Sequence, residues 1–348
     1  ETSESACPNN GICSLPMNLS EGDYEWSVSC SDKFGNFSVS NPMKIAVAIP
    51  PLPTKVNKTE VSPGHSLLAE TCICSDCDEC TEALGDELCT TVEMNSDIVS
   101  DVTCINNPAG FTNKVFDCKN HMFFGPDSAG WGIRGIYLSG KSNNTIKNCV
   151  FYGFYDAIYS SYSDYLTLEN IKTQDQSDAG IYLDGGSYLN ISGINASNAP
   201  SGVYTSGVTD SNFSRIWATN MSDEWGGGMY IGWDNYANTF NDIIVIDSIN
   251  GIYIDGGTSE QYYTRMNFSR NKFNIYLNPW PYYDTDLVQY FNETYVDGGI
   301  VQTVFNQENV SLMADGSPRI GMVIVANSNN VTVRNLVSHN NSYGIAVV

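Results

Sequence analysis

The sequence predicts an all-β protein, most of which is a right-handed parallel β-helix solenoid of about 10 coils of ~23 residues. Two observations predict this fold: a short apolar motif that returns at a regular interval, and a second column of alternating residues between its occurrences. Composition is a third observation. The 37 asparagines, 30 glycines and 21 tyrosines indicate many turns and strands rather than long helices.

The recurring motif consists of a small or turn residue, an apolar residue and, in most cases, a tyrosine. Its occurrences are 22 to 26 residues apart. A period in the twenties is typical of solenoids, and the leucine ladder of leucine-rich repeats is absent, so we expect two or three short strands per coil. The motif occurs at Gly135-Ile136-Tyr137, Ala157-Ile158-Tyr159, Gly180-Ile181-Tyr182, Gly202-Val203-Tyr204, Gly228-Met229-Tyr230, Gly251-Ile252-Tyr253, Asn274-Ile275-Tyr276, Gly299-Ile300-Val301, Gly321-Met322-Val323 and Gly344-Ile345-Ala346.

Between the motifs lie segments in which apolar and polar residues alternate, such as Leu189-Asn190-Ile191-Ser192. Alternation with period two places one set of side chains inside a coil and the other set outside. Aligning the segments predicts one inward stack, whose members we expect to be buried. These are Cys118, Cys149, Ile171, Ile194, Ile216, Ile243, Met266 and Leu336.

This pattern resembles the right-handed parallel β-helix repeat family, the pectin-lyase-like solenoids, and especially the surface β-helix proteins of archaea. The resemblance is carried by coils such as Phe116-Asp117-Cys118-Lys119-Asn120-His121, followed by Gly135-Ile136-Tyr137-Leu138, and it covers residues 89–348. It implies an architecture and not a function, because this fold hosts lyases, hydrolases, adhesins and stalks.

The first 49 residues predict strands, with a turn over 31–36. The segment from Gly22 to Asn36 is similar to the closing hairpin of immunoglobulin-like modules in archaeal and bacterial surface proteins. Such a module needs about seven strands, so residues 1–49 are interpreted as part of one. A stiff Pro-rich linker follows at 50–53.

Residues 50–88 contain the linker and a Cys-rich segment, in which a short helix over Thr81–Leu88 would cap the solenoid. Four cysteines between Cys72 and Cys80 could form a metal site or disulfides, and we favour disulfides because the neighbouring residues are acidic and the compartment oxidising. The eleven cysteines all precede residue 150. The disulfide candidates are Cys7, Cys13, Cys72, Cys74, Cys77, Cys80, Cys89, Cys104, Cys118 and Cys149, and Cys30 is expected to lack its usual partner.

Glycosylation sequons indicate an extracellular glycoprotein at the cell surface. No apolar run is long enough to span a membrane. The net charge of −23 argues against a nucleic-acid partner and against adhesion to an anionic membrane. The sequons begin at Asn18, Asn36, Asn57, Asn143, Asn190, Asn195, Asn212, Asn220, Asn267, Asn292, Asn309, Asn330 and Asn340.

No catalytic signature is apparent in the sequence. The three histidines are far apart, and the Asn-Thr-Asp, Asp-Asp and Gly-His-Gly motifs that the resemblance implies for hydrolases are absent. Asp-Gly-Gly recurs at residues 184–186, 255–257 and 297–299, where it could bind calcium, although a simple turn is the favoured interpretation. We therefore predict no enzyme, no catalytic residue, no metal site and no cofactor apart from an optional calcium ion.

Two aromatic insertions, at 223–236 and 279–283, could stack on sugars or form a protein interface, through Trp225, Trp233, Trp280, Tyr282 and Tyr283. The sequence starts within the immunoglobulin-like part and stops within a coil, which leads us to expect a homopolymer formed by end-to-end contacts or strand addition. The predicted function is a non-enzymatic subunit or segment of a surface filament, sheath or stalk. The alternative is a carbohydrate-binding or polysaccharide-cleaving β-helix that uses the aromatic loops.

Overall fold

The computed structural model describes residues 70–126, 129–278, 289–314 and 319–347, together with the backbone of four strands nearer the N-terminus. The chain divides into two compact units, Glu1–Ser62 and Pro63–Val348. In the first unit, β1 pairs with β4 and β2 pairs with β3, both antiparallel. The immunoglobulin-like likeness of this unit stays a prediction. Its strands are β1 (Gly22–Trp26), β2 (Ser29–Ser31), β3 (Phe37–Val39) and β4 (Met43–Val47).

The second unit is a parallel β-solenoid, which confirms the predicted fold class. Its larger sheet has seventeen strands, and neighbouring coils pair in register, with Ile171 opposite Ile194 and Ile194 opposite Ile216. These strands are β5 (Glu70–Cys74), β6 (Cys89–Met94), β7 (Ile98–Val99), β9 (Val115–Asp117), β10 (Met122–Phe124), β12 (Thr145–Tyr152), β14 (Thr167–Gln174), β16 (Asn190–Ser197), β18 (Asn212–Thr219), β20 (Thr239–Ile246), β22 (Gln261–Thr264), β23 (Asn267–Ser269), β25 (Gln289–Asn292), β26 (Tyr295–Val296), β27 (Gly299–Phe305), β29 (Ile320–Ala326) and β31 (Ile345–Val347).

A second sheet of eight parallel strands lies along the solenoid, and we call its outer surface the tyrosine face. Its strands are β8 (Ile105–Asn106), β11 (Arg134–Ser139), β13 (Asp156–Ser161), β15 (Ala179–Ser187), β17 (Ser201–Thr209), β19 (Gly227–Ile231), β21 (Asn250–Asp255) and β24 (Phe273–Asn278). A separate parallel pair consists of β28 (Ser311–Met313) and β30 (Thr332–Arg334). No helix among the described residues is long and apolar enough to cross a membrane.

The coils turn at residues with positive φ. Among the described residues, 30 non-glycine residues have positive φ, and most of them are Asn or Asp, whose short polar side chains tolerate left-handed backbone. One such column bends β12, β14 and β16 at Asn148, Asn170 and Gly193. The Asn170 side-chain amide donates to Asn148 Oδ1 at 3.2 Å, so the bends also hydrogen-bond to each other along the axis. The predicted abundance of Asn in turns thus has a structural cause.

The core lies inside the coils and contains the predicted inward stack. Seven of its eight members, Cys118 through Met266, are at most 1% exposed, which confirms that part of the prediction. Leu336 is only partly buried, so its inclusion was wrong. It packs beside a separate small cluster around Val304 and Val323 rather than between two coils. A second inward stack is aromatic, with ring centroids 4.5 to 5.1 Å apart, and consists of Phe213, Phe240, Tyr263 and Phe291.

A short helix and three disulfides lie at the N-terminal end of the solenoid. Helix α1 (Cys77–Gly85) begins four residues before the predicted helix, because Asp76 caps it and accepts a hydrogen bond from the Glu79 amide at 2.8 Å. The disulfide interpretation of the Cys-rich segment is confirmed. The described pairs are Cys72–Cys89, Cys74–Cys80, Cys77–Cys104 and, between two coils, Cys118–Cys149. Cys7 and Cys13 lie outside the described residues.

The recurring motif changes sheets near the end of the chain. Its first seven occurrences lie on the eight-stranded sheet, whereas the last three lie on or beside β27, β29 and β31 of the larger sheet. Next to β24, the place of the eighth occurrence is taken by residues 340–342, where the Ser342 amide donates to the Ile275 carbonyl at 3.1 Å. The spacing persists because β27, β29 and β31 pair with each other, but spacing alone does not specify the sheet.

Candidate functional site

A ladder of seven tyrosines runs along the tyrosine face. Ile136 and Leu138 are fully buried, so the tyrosine between them points outward, and the same alternation repeats in each coil. Adjacent rings have centroids 4.2 to 5.7 Å apart and are mostly stacked. The faces of these rings contact each other, so six of the tyrosines expose only part of their ring edges and hydroxyl groups, and Tyr253 is 1% exposed. Its members are Tyr137, Tyr159, Tyr182, Tyr204, Tyr230, Tyr253 and Tyr276.

The hydroxyl groups of the ladder donate to carboxylates on neighbouring coils. Tyr159 Oη donates to Asp184 Oδ2 at 3.3 Å, and Tyr230 Oη donates to Asp255 Oδ2 at 2.8 Å. Burial raises the pKa of Tyr159 to about 12, and both burial and the nearby Tyr204 raise the pKa of Tyr230. These phenols therefore remain protonated, neutral hydrogen-bond donors at physiological pH.

A buried ion pair lies at the start of two adjacent strands of this sheet. Arg134 and Asp156 are cross-strand partners, and Arg134 Nε lies 3.0 Å from Asp156 Oδ2. Asp156 is 1% exposed, and burial raises its carboxyl pKa to about 7 despite the hydrogen bond from Arg134. The Arg134 guanidinium lies 3.9 Å from the centre of the Tyr159 ring, a cation–π contact that fixes its position.

Asp178 lies in the next coil, immediately before β15. It is partly buried, and burial raises its carboxyl pKa, whereas a hydrogen bond from Tyr155 lowers it. The Asp223 carboxylate raises the pKa of Asp178 further by repulsion, so the two carboxyl groups interact. A carboxyl group with a raised pKa beside a second carboxylate is one arrangement that acid–base catalysis uses.

Asp223 belongs to the aromatic insertion that precedes β19. The Trp225 amide donates to Asp223 Oδ1 at 3.0 Å, which orders the turn, and the Trp225 side chain is 69% exposed. The turn lies flat on the coil below, because a Cβ added at Gly226 would be 2.5 Å from Ser201 Oγ. The strands that follow Asp178 and Asp223 are two rungs apart, because Ala179 pairs with Ser201 and Ser201 with Gly227.

Asp178, Asp223 and Trp225 form what we call the acidic site, supported by Tyr155 and by the Arg134–Asp156 pair. A protonated carboxyl group can donate to a glycosidic oxygen, while a carboxylate across the bond activates water. An exposed indole beside them offers an apolar face to a sugar ring. The arrangement therefore contains the two carboxyl groups and the apolar platform that acid–base hydrolysis of a glycoside uses.

The aromatic residues predicted as a sugar-stacking or interface set do not lie together in the described part of the structure. Trp225 lies at the acidic site, and its ring centroid is 6.4 Å from that of Tyr253 in the tyrosine ladder. Trp233 is also exposed but lies past the end of β19, where its carbonyl accepts from the Gly207 amide. Trp280, Tyr282 and Tyr283 lie outside the described residues.

The Asp-Gly-Gly turns use their carboxylates to hold neighbouring coils. Asp255 accepts from Tyr230 Oη, from the Asn278 side-chain amide and from the Gly256 amide. Asp297 accepts from the side-chain amides of two asparagines, Asn274 and Asn340. These donors favour the turn interpretation, and calcium binding there stays a prediction. Among the described residues, no group of three or more His, Cys, Asp or Glu side chains is placed to hold a metal ion.

The sequon asparagines lie at the surface wherever the structure describes them. Nine are exposed and Asn212 is partly exposed, while Asn18, Asn36 and Asn57 lie outside the described residues. Glycosylation at these positions stays a prediction. The nine exposed residues are Asn143, Asn190, Asn195, Asn220, Asn267, Asn292, Asn309, Asn330 and Asn340.

Sequence reasoning missed Arg134, Tyr155, Asp156 and Asp178. The repeat pattern does not mark these carboxylates as a set. Asp156 pairs with Ala179 in the next coil, so Asp178 lies one register position away from the column of Asp156.

Comparisons with solved structures find carbohydrate-active enzymes. The chain is similar to an alginate lyase from Paenibacillus sp. str. FPU-7 (11% identity, TM-score 0.48, covering 79% of this chain and 99% of that one). It is also similar to the A-module of the Azotobacter vinelandii mannuronan C-5 epimerase AlgE4 (12% identity, TM-score 0.44, covering 78% of this chain and 85% of that one). A third similar structure is the catalytic domain of a GH87 α-1,3-glucanase in complex with nigerose (11% identity, TM-score 0.36, covering 83% of this chain and 70% of that one). These enzymes contradict the prediction of a non-enzymatic protein, which we correct. At such identity the likeness shows the fold alone.

A search of curated protein sequences finds no match. The family model described as "Right handed beta helix region" matches residues 113–273, which include every residue of the acidic site. This match agrees with the parallel, in-register coils of the structure. Residues 113–273 are thus a right-handed parallel β-helix.

Proposed function

We propose that this protein is an extracellular polysaccharide hydrolase whose acid–base residues are Asp178 and Asp223. One observation carries the proposal: the partly buried Asp178 has a raised carboxyl pKa and interacts with a second carboxylate, beside an exposed tryptophan. This combination of a perturbed acid, a partner carboxylate and an apolar platform is typical of glycoside-cleaving sites.

In the proposed reaction, protonated Asp178 donates its proton to the glycosidic oxygen as the bond from that oxygen to the anomeric carbon breaks. The Asp223 carboxylate removes a proton from a water molecule, whose oxygen bonds to the anomeric carbon. The products are two shorter chains, one with a new reducing end, and the proton returns from Asp223 to Asp178 through solvent.

Two neighbouring residues lower the pKa of the proposed acid, Asp178. Tyr155 donates to Asp178, and the Arg134 guanidinium also lowers the pKa of Asp178, so these two groups oppose the effects of burial and of Asp223. Asp156 holds Arg134 in place through the 3.0 Å ion pair. Arg134, Tyr155 and Asp156 are therefore positioning residues in this proposal, and Trp225 is the platform on which a sugar ring stacks.

The disulfides and the surface sequons support secretion, because disulfides persist in oxidising compartments. We include N-glycans on the exposed sequons in the proposal. They would cover parts of the larger sheet and its corners, where Asn190, Asn195 and Asn267 lie, rather than the tyrosine face.

The test is release of reducing ends from a panel of polysaccharides by the whole chain and by three variants. Asp178→Asn and Asp223→Asn should each lower kcat by roughly 10²- to 10⁴-fold while substrate binding persists. Trp225→Ala should mainly raise KM. Asp242→Asn, at an exposed carboxylate on β20 of the larger sheet, is the matched control and should leave the rate unchanged. Absence of reducing ends from every polysaccharide, or full activity in both Asn variants, would refute the proposal.

A further inference from the structure

The tyrosine face and the acidic site together carry more acidic than basic groups. The eight strands of the tyrosine face contain one basic residue, Arg134, and three acidic residues, Asp156, Asp184 and Asp255. The acidic site adds Asp178 and the insertion with Asp223 and Glu224. The strands of the larger sheet carry three basic residues, Lys147, Lys172 and Arg215, and five acidic ones, so this sheet offers cations that the tyrosine face lacks but has a similar formal charge.

The basic groups near the acidic site are already engaged. Arg134 pairs with Asp156 and stacks on Tyr159. Lys272, just before β24, pairs with Glu224 at 3.0 Å. Neither cation is therefore directed toward a ligand, and the described part of this face has no other lysine or arginine on its strands. An anionic sugar at Asp178 and Asp223 would meet carboxylates without a compensating cation.

The remaining ligand-facing groups are neutral. The Tyr182, Tyr204 and Tyr230 hydroxyls hydrogen-bond to one another along the ladder, and burial raises their pKa values, so they stay uncharged. Ser139, Ser161 and Ser206 lie in the outward column two residues after the tyrosines. Hydroxyl groups match the donors and acceptors of a neutral sugar and offer no charge to a carboxylate or sulfate.

We infer that the substrate is a neutral polysaccharide, without uronate or sulfate groups. This inference rests on the proposed hydrolase function and specifies its substrate class. Like charges brought together at a binding surface cost up to several kcal/mol, and the net charge of −23 adds long-range repulsion of any polyanion. An anionic polymer bound at the acidic site would place its uronates near Asp178, Asp223 and Glu224, with Asp184 further along the same face.

The experiment compares initial rates on neutral and anionic polymers. The probes are a soluble β-1,3-glucan, dextran and galactomannan against polygalacturonate and alginate, at about 10 mM and about 300 mM salt, with EDTA present so that no divalent cation bridges two anions. We expect turnover of at least one neutral polymer with a rate insensitive to salt. Faster turnover of polygalacturonate or alginate at low salt would overturn the neutral-substrate inference and leave the hydrolase proposal intact. No turnover of any polymer would overturn both.

A charge variant tests the physical cause. Asp184→Lys replaces a carboxylate on the tyrosine face by a cation, and it should raise residual binding of polygalacturonate about fivefold at low salt, measured by affinity electrophoresis. Asp247→Lys makes the same change beside the larger sheet and serves as the matched control, for which no increase is expected. An equal increase in both variants would mean that net charge alone, and not the charge of this face, excludes polyanions.

Discussion

The buried carboxyl group of Asp156 should make the stability of the solenoid depend on pH. Its pKa is about 7 in the folded chain and 3.8 as the ordinary value. The folded state therefore keeps a proton that the unfolded state releases, and the free energy of unfolding falls as pH rises from about 4 to about 7. The difference between these two pKa values corresponds to about 4 kcal/mol of unfolding free energy lost by pH 8.

Asp156→Asn removes this titration because the amide stays neutral at every pH. The free energy of unfolding of the variant, relative to the unmodified chain, should therefore increase by about 3 kcal/mol between pH 4.5 and pH 8, because the first ~1 kcal/mol of the effect falls below pH 4.5. Groups that titrate in both proteins cancel in this difference. The measurement is urea unfolding followed by far-UV circular dichroism at both pH values, with the disulfides intact.

Asp247→Asn is the control for the same window. Arg270 lowers the pKa of Asp247, so that carboxylate is ionised throughout pH 4.5–8 and its replacement should not change the pH slope. If Asp156→Asn and the unmodified chain show parallel pH profiles, Asp156 is not protonated in the folded state near neutral pH. The argument that burial outweighs the Arg134 ion pair would then be wrong.

Three further outcomes test the packing and the surface. Replacing Cys118 and Cys149 together by alanine removes a cross-link with a sequence separation of 31. The free energy of unfolding under non-reducing conditions should fall by about 3–4 kcal/mol, and an unchanged urea midpoint would argue against the disulfide. Gly228→Ala would place a Cβ 2.3 Å from Val245 Cγ2 and should cost about 1–3 kcal/mol, whereas Gly130→Ala meets nothing within 4 Å and should be neutral in the same assay. Intact mass should drop after enzymatic deglycosylation, and no drop would contradict the use of the sequons.

The solenoid could be predicted because its sequence signal repeats in every coil. An inward position such as Ile194 has the same kind of neighbour above and below, and each coil repeats the same two constraints, burial and turn geometry. Leu336 was misplaced for the complementary reason. Its segment repeats the alternation, but its neighbours are β28 and β30 rather than the continuous stack, and alternation does not report which strands are adjacent.

The acidic site could be predicted only in part. Trp225 was found because an aromatic insertion interrupts the repeat, and the sequence placed Asp223 beside it. Asp178 was missed because its role depends on burial and on Asp223, which is 45 residues away in sequence and two rungs away in space. Perturbed pKa values arise from such three-dimensional neighbours, and no one-dimensional motif encodes them.

The position of the site follows from how a solenoid can vary. In the column that starts the tyrosine-face strands, Asp156 is succeeded by Ala179, Ser201 and Gly227, so packing does not fix the residue there. The interval between motifs rises from 22 to 26 residues at the coil that contains Asp223 and Trp225. The extra residues form a turn and do not disturb the tyrosine ladder, since the rings of Tyr204 and Tyr230 remain stacked with centroids 4.3 Å apart. Catalytic residues can therefore be accommodated where the core constrains the sequence least, and the surrounding rungs hold those residues rigidly.

A four-residue deletion of this insertion should abolish hydrolysis, while far-UV circular dichroism and the urea midpoint stay close to those of the unmodified chain. A variant that also unfolds would show that the insertion stabilises the coil instead.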